Sequence, residues 1–470
     1  MKLMIEVAVL LRVAVLLSFF LPLGLQAGSM LSASAAGYIY GFPLVLMDET
    51  LHGLTSEERS CQLGTDLNTF MHVKDRPGPE FKAVVRPNVD TLYSSAMLDL
   101  SHGPMLLYMP AVQNRYVLMA LLDAWSNNFA GVGSQSHGEG EGRYAIVGPD
   151  WVGDLPEVYE RIDAPTNLVW VIGRTEVRDD ADIPAVNRIQ EQYSLTPLAG
   201  PAPLAGNAHC VPDSEKTPPI EVVESLSGHE YFSRLAELMV RYPPPQEDAA
   251  MLKVLARIGV GPLAEKDLDD LSSAQRRRVE MGRNFGLGSL NFATRLLGLN
   301  GWGPNPPQIP LGDFGQRYFI RGVVAQVGFG ANRGEFAVYQ NAERDSKRQR
   351  LSGDAVYSMT FAADDLPPVQ AFWSVTIYGD DGFLRDNPVA DRMEMTRYAL
   401  GSNNGLVEDE RGNVTLYFSA EPPGGVPLEN WLPVPEGRFQ ATVRYYAPEE
   451  SILSNRWRTP PIVKREDLMP

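Results

Sequence analysis

Only two of the 470 residues are cysteines, Cys61 and Cys210, and only six are histidines. A multi-disulfide scaffold is therefore excluded. An even pair in an exported protein fits one disulfide, and two isolated small core residues fit the same count. The histidines His52, His72, His102, His137, His209 and His229 form no H-x-H or H-E-x-x-H cluster, so no zinc motif is present. A Walker phosphate loop and a G-x-S-x-G nucleophile elbow are both missing. The stretch Gly133-Ser134-Gln135-Ser136-His137-Gly138 comes nearest to the elbow, and its spacing is wrong. No motif calls for a cofactor. Positive charge is also scarce, with 41 Lys and Arg against 58 Asp and Glu and a net charge of −17. Phosphates would be repelled, which excludes nucleic acid and disfavours anionic membrane surfaces. The Arg276-Arg277-Arg278 run reads as a solvated helix face.

Long apolar runs are few. Residues 13–25 form one, preceded by Lys2 and Arg12 and interrupted by Ser18, Pro22 and Gly24. It is short for a membrane span and fits a secretory signal over residues 1–27. Leu25-Gln26-Ala27 is an imperfect cleavage site. Ala33-Ser34-Ala35 has better small-x-small chemistry but would cut close to the first folded residues, so the first is favoured. The expected location is periplasmic or secreted, with no stable membrane insertion after processing. An uncleaved anchor is the alternative.

What is plentiful is glycine, at 42, and proline, at 37. A chain this long and this rich in turn formers reads as two or three mainly β domains. Apolar spacing predicts strands over residues 92–98, 105–109, 115–122, 168–172, 357–361, 372–378, 414–418 and 439–446. Helical spacing predicts helices over 220–242, 249–258 and 268–299. Tyr38, Ile39, Phe42, Leu46 and Met47 also lie near helical spacing, but Gly41-Phe42-Pro43 predicts a kink or break. Residues 124–142, rich in Gly, Ser and Asn, read as a long loop, and 301–310, with four prolines, as a linker.

Residues 354–388 organise this pattern. From Phe372 to Tyr378 the side chains alternate, with Trp373, Val375 and Ile377 on an apolar face. Phe372, Ser374, Thr376 and Tyr378 fall on the other, a mixed face that reads as half wet. Asp90-x-x-Tyr93-Ser94 matches Asp354-x-x-Tyr357-Ser358. Arg174 and Arg444 each sit in a strand preceded by Trp and Leu-Pro. These pairs predict two related β-sandwiches flanking a helical segment, in a multi-domain, mainly β with α architecture. The domain reading is 28–184, a β-rich domain; 185–300, a helical segment; and 301–470, a β-sandwich.

The quoted residues resemble a known domain pair. Gly37-Tyr38-Ile39-Tyr40-Gly41-Phe42-Pro43, Asn88-Val89-Asp90-Thr91-Leu92-Tyr93, Arg115-Tyr116 and Ile172-Gly173-Arg174-Thr175 look like the DUF1254 family. Residues 372–378, Asp386-Asn387-Pro388, Asn430-Trp431-Leu432-Pro433 and Arg444-Tyr445-Tyr446-Ala447-Pro448 look like its usual companion, DUF1214. The resemblance implies two β-rich domains with a helical insert, often exported. It carries no catalytic assignment.

Polar and aromatic residues gather at the predicted strand ends. Asp90 and Asp123 are the candidate acid and base. Asn88, Tyr93, Trp125, Asn127, Asn128, Tyr378, Asp386, Asn387, Trp431 and Arg444 are the candidate binding residues. Carboxylate, amide and indole groups suit a small polar molecule or a glycan. Two carboxylates about 5–10 Å apart would suit glycoside hydrolysis. Three functions follow: an exported hydrolase acting on a small polar or envelope-derived substrate, a non-catalytic binding module, or a structural envelope protein. The loops after the strands, rather than the Asp-x-x-Tyr turns, are expected to border the main pocket.

Overall fold

The computed structural model describes residues 29–61, 63–81, 86–200, 210–212, 215–297 and 311–468. The expected signal over 1–27 and the linker over 301–310 lie outside them. The chain divides into two compact units, one helical and one mainly β.

The helical unit takes in residues 29–49, Pro219–Thr294 and Gly315–Val327. Its core is helix α1 (Met30–Thr55), continuous over 26 residues with Pro43 inside it. The predicted break at Gly41-Phe42-Pro43 therefore does not occur. Proline removes one helix hydrogen bond, but residues 37–47 are buried, and packing on several sides holds the helix together. Gly37 and Gly41 are one turn apart, and each admits a neighbour that a Cβ would exclude. A Cβ on Gly37 would meet Leu255 at 2.7 Å, and one on Gly41 would meet Leu235 at 2.5 Å. These neighbours come from α2 (Gly228–Arg241) and α3 (Ala249–Ala256). Helix α4 (Ser273–Leu297) does the reverse, its Gly282 and Gly286 lying against the α1 backbone at Leu31 and Ala35. Helix α5 (Tyr318–Gly328) packs Gly322 on the Ile39 carbonyl, which has lost its usual donor to Pro43. Helix α1 is long and apolar enough to cross a membrane, with mean hydropathy 1.4, yet 78% of that window is buried within the protein. The second cleavage pattern, Ala33-Ser34-Ala35, lies inside α1, and Ser34 donates to the Val279 carbonyl at 2.6 Å.

The second unit holds two sandwiches. In the first, one sheet runs β1-β2-β8-β4-β5: Met71–His72, Thr91–Asp99, Leu168–Glu176, Val117–Asp123 and Asn128–Gly133. The other runs β7-β6-β3-β9: Glu160–Asp163, Gly142–Val147, Met105–Met109 and Ser194–Pro197. Leu98, Met119 and Val171 from one sheet and Leu107, Tyr144 and Ile146 from the other fill one core. The second sandwich has the sheets β10-β16-β12-β13 (Ala337–Ala342, Phe439–Tyr446, Trp373–Gly379, Ala399–Gly401) and β15-β14-β11-β17 (Trp431–Pro433, Val414–Ser419, Tyr357–Phe361, Val463–Lys464). Its core joins Trp373, Val375 and Val443 to Met359, Leu416 and Phe418.

Sheet order gives the duplication directly. Adding eight to each strand number turns β2-β8-β4-β5 into β10-β16-β12-β13 and β7-β6-β3-β9 into β15-β14-β11-β17. The parallel pair β6–β7 recurs as β14–β15. The sequence match of Asp90 with Asp354 is nevertheless wrong. Asp90 precedes β2, whose counterpart is β10, whereas Asp354 precedes β11. The register supplies the true equivalences: Tyr93 faces Arg174 across β2–β8, and Tyr339 faces Arg444 across β10–β16. Residues 124–142 are not one loop, because β5 lies within them. Its glycines disguise it: a Cβ on Gly131 would meet the Phe336 ring at 2.3 Å. Cys61 and Cys210 form a disulfide with Cα atoms 4.7 Å apart.

Candidate functional site

The first sheets of the two sandwiches turn their outer faces to each other. Strand β12 is buried on both sides, so the Ser374, Thr376 and Tyr378 face expected to be half wet is dry. It meets the turn before β2. Asn88 Oδ1 accepts from the Asp90 N–H at 2.7 Å and fixes that turn. Asp90 Oδ2 then accepts from Ser374 Oγ at 2.5 Å and from the Tyr446 hydroxyl at 3.0 Å. Asn88 Nδ2 donates to the same Tyr446 oxygen at 2.9 Å.

Beside this group, Arg444 Nη1 donates to Thr376 Oγ1 at 2.6 Å. Its Nη2 donates to the Tyr378 hydroxyl at 2.7 Å and to the Arg86 carbonyl at 3.1 Å. Tyr378 in turn donates its hydroxyl to the Pro87 carbonyl at 2.6 Å. Burial raises the Tyr378 and Tyr446 phenols, so both remain neutral donors. Burial alone would lower the Arg444 pKa; Tyr378, Tyr446 and Asp90 around it carry it above its ordinary range. Arg86 closes this side with two donations to Gln440 Oε1, at 3.1 and 2.7 Å. Equivalent residues also meet: the Tyr116 and Phe372 rings, each just before its strand, lie 6.2 Å apart. That is the contact an approximate two-fold axis produces.

Arg174 lies in the same inter-sandwich layer. Its Nη1 donates to Asn332 Oδ1 at 2.8 Å, and Asn332 Nδ2 donates to the Tyr339 hydroxyl at 2.8 Å. The guanidinium stands 5.2 Å from the centre of the Tyr93 ring.

Of the candidate residues, Asn88, Asp90, Tyr93, Tyr378 and Arg444 therefore share this layer. Asp123, Trp125, Asn127 and Asn128 do not. Thr91 pairs with Glu176 and Asp123 with Val169 on β8, seven residues along, so Asp90 and Asp123 are separated by roughly 23 Å of strand. Asp123 ties its own turn, accepting from the N–H groups of Trp125 at 2.9 Å and Asn127 at 2.8 Å. Trp125 is buried, and the buried Asn128 amide makes no side-chain hydrogen bond among the described residues. Asp386 accepts from the Tyr398 hydroxyl at 3.1 Å. Asn387 caps the short helix Pro388–Arg392 through Val389 and Ala390. Trp431 is fully buried, its indole donating to Ser419. These residues stabilise turns and core.

Three further arrangements bear on chemistry. An open cleft of about 290 Å³ is bordered by the post-β12 loop, with Gly379, Asp380, Asp381 and Arg385, together with Pro435, Glu436 and Arg438. Its charges pair among themselves, Arg385 with Asp381 and Arg438 with Asp380. His72 Nδ1 lies 2.8 Å from Ser94 Oγ, which looks like a nucleophile and base. Ser94 is fully buried, however, and offers no approach to a substrate. In the helical unit, buried Asp248 accepts from the Tyr40 hydroxyl at 2.9 Å and the Tyr318 hydroxyl at 2.5 Å, tying α1 to α5. Ser136 bonds Gly133 and Tyr144 rather than His137, and no metal-binding cluster occurs among the described residues.

Sequence reasoning missed Ser374, Thr376, Asn332 and Tyr339. Ser374, Thr376 and Tyr339 lie on outer sheet faces, where polar side chains look solvated until a second domain covers them, and Asn332 lies in the loop before β10.

Residues 67–197 match a family described as a protein of unknown function (DUF1254), and residues 336–450 match a second such family (DUF1214). No curated protein matches the sequence. Among solved structures the chain is similar to the VPA0106 protein from Vibrio parahaemolyticus, at 23% identity and a TM-score of 0.69, covering 93% of this chain and 100% of that one. A second structure, an uncharacterized protein from Burkholderia cenocepacia, aligns at 12% identity with a TM-score of 0.43, over 96% of each chain. The first likeness is one of fold.

Proposed function

The chain belongs to the DUF1254 and DUF1214 families of unknown function, and on that premise we propose that it is an exported module that binds a small polar molecule or glycan without chemistry. The observation that carries this reading is the inter-sandwich layer. It combines tyrosine rings, two arginines and amides, while its candidate acid, Asp90, accepts from the Ser374 and Tyr446 hydroxyls and the buried Glu176 carboxylate on the neighbouring strand is held by the Tyr116 N–H, Arg178 and Asn403. Glycoside hydrolysis needs two carboxylates within about 10 Å of each other, and Asp123 holds a turn at the far end of the sheet from Asp90. Export is supported by the Cys61–Cys210 bond, which suits an oxidising compartment, and by the apolar run at residues 13–25.

The test combines binding and turnover on the purified chain. Thermal unfolding in the presence of neutral sugars, sugar acids and small organic acids is expected to show a rise in Tm for at least one class. Chromogenic glycosides and esters are expected to remain uncleaved. Turnover abolished by Asp90→Asn would overturn the binding reading. Fractionation should place the processed protein outside the cytoplasm, and full-length protein in the cytosol would refute export.

A further inference from the structure

The duplication makes Arg174 and Arg444 equivalent, yet their surroundings differ. Arg444 has three hydrogen bonds, and the Asp90 carboxylate lies close enough to act on it. Arg174 is equally interior, at 6% exposure, and among the described residues its Nε finds no acceptor. Among the described residues no carboxylate pairs with it, and its Nη1 bond goes to a neutral amide. The register explains the lack. Thr91 faces Glu176 as Ala337 faces Tyr446, so the residue equivalent to Asp90 is Phe336. A phenyl ring stands where the repeat would supply the counter-charge. The nearby Glu176 carboxylate is directed elsewhere, accepting from the Tyr116 N–H, Arg178 and Asn403.

A buried guanidinium without an anion is costly, and its planar fork matches a carboxylate edge. The two tyrosines beside it, Tyr93 and Tyr339, are half-buried, whereas Asn332 is fully buried. We propose that Arg174 is an anion subsite taking the carboxylate of a ring-bearing organic acid, whose ring lies against Tyr93 and Tyr339. This rests on the binding reading above and names its ligand class. Because Arg174 keeps little exposure, one tyrosine ring swings aside on binding. Asn332 then shares the guanidinium with the ligand.

The experiment titrates the full chain with benzoate and glucuronate, and with the uncharged benzamide and glucose, by calorimetry and by Tm. At least one acid is expected to bind and to raise Tm, with its neutral counterpart at least about tenfold weaker. Arg174→Gln should abolish that preference. Asn332→Asp supplies an internal carboxylate, so it should raise Tm without ligand and abolish acid binding, a readout that stands even if Arg174→Gln does not fold. Acid binding unchanged in Asn332→Asp overturns the subsite. A neutral sugar that binds while both acids fail overturns the subsite and leaves the binding reading intact. Failure of all four probes counts against both.

Discussion

Asp90 shows how a residue that reads as catalytic can instead lock two domains. Its carboxylate accepts two hydroxyl hydrogen bonds across the layer, from Ser374 and Tyr446, both on the opposite sandwich. Asp90→Ala would leave both buried hydroxyls without an acceptor and Arg444 without its nearby charge. The expected cost is about 3–5 kcal/mol in urea unfolding. His72 provides a pH signature. Burial and the nearby Lys74 bring its pKa down from 6.5 to about 4. The folded protein thus binds the proton less well than the unfolded chain. The contribution is fully present above pH 6.5 and is lost as pH falls from there toward 4. His72→Gln should flatten the stability profile across that window, and an unchanged profile would show that the imidazole is not its source. The Asp-x-x-Tyr turn at residues 90–93 was legible because Asp and Asn so often fix turns. Its partners were not, since they lie 284 and 356 residues further along the chain.

At the scale of elements, long periodic segments were the most legible. Strands β3, β11 and β16 fall where apolar alternation places them, and α2 follows the spacing of Tyr231, Leu235, Leu238 and Met239. Glycine and proline misled in α1 and β5 because both residues serve packing there rather than turning. Gly41 tests this. Valine at that position would drive methyl groups into Leu235 and the Tyr231 hydroxyl, where even a Cβ finds contacts at 2.5 and 3.0 Å. The expected destabilisation is about 1–3 kcal/mol or more, measured by thermal unfolding. A neutral effect would mean that α1 and α2 can separate at no cost.

At the scale of the molecule, the sandwiches share one dry polar layer, and neither could expose it without cost. Isolating the second would uncover Phe372, Tyr378 and Tyr446 together with Arg444, all buried here. The two should therefore unfold together. Hydrogen exchange read by mass spectrometry tests this, because β8 and β16 are the central strands that carry the two equivalent arginines. Their amides are expected to show matching protection, set by global opening. Asp90→Ala should lower both by the same factor, although Asp90 belongs to neither strand. The disulfide acts in the unfolded chain instead, where joining Cys61 to Cys210 closes a loop spanning 149 positions. By chain entropy this is worth up to about 5 kcal/mol, so Cys61→Ser with Cys210→Ser should lower protection in both strands as well. Loss of protection in β8 alone in the Asp90 variant would mean that the layer is a loose contact between independent domains, and Asp90 would then have to be explained by something other than the lock.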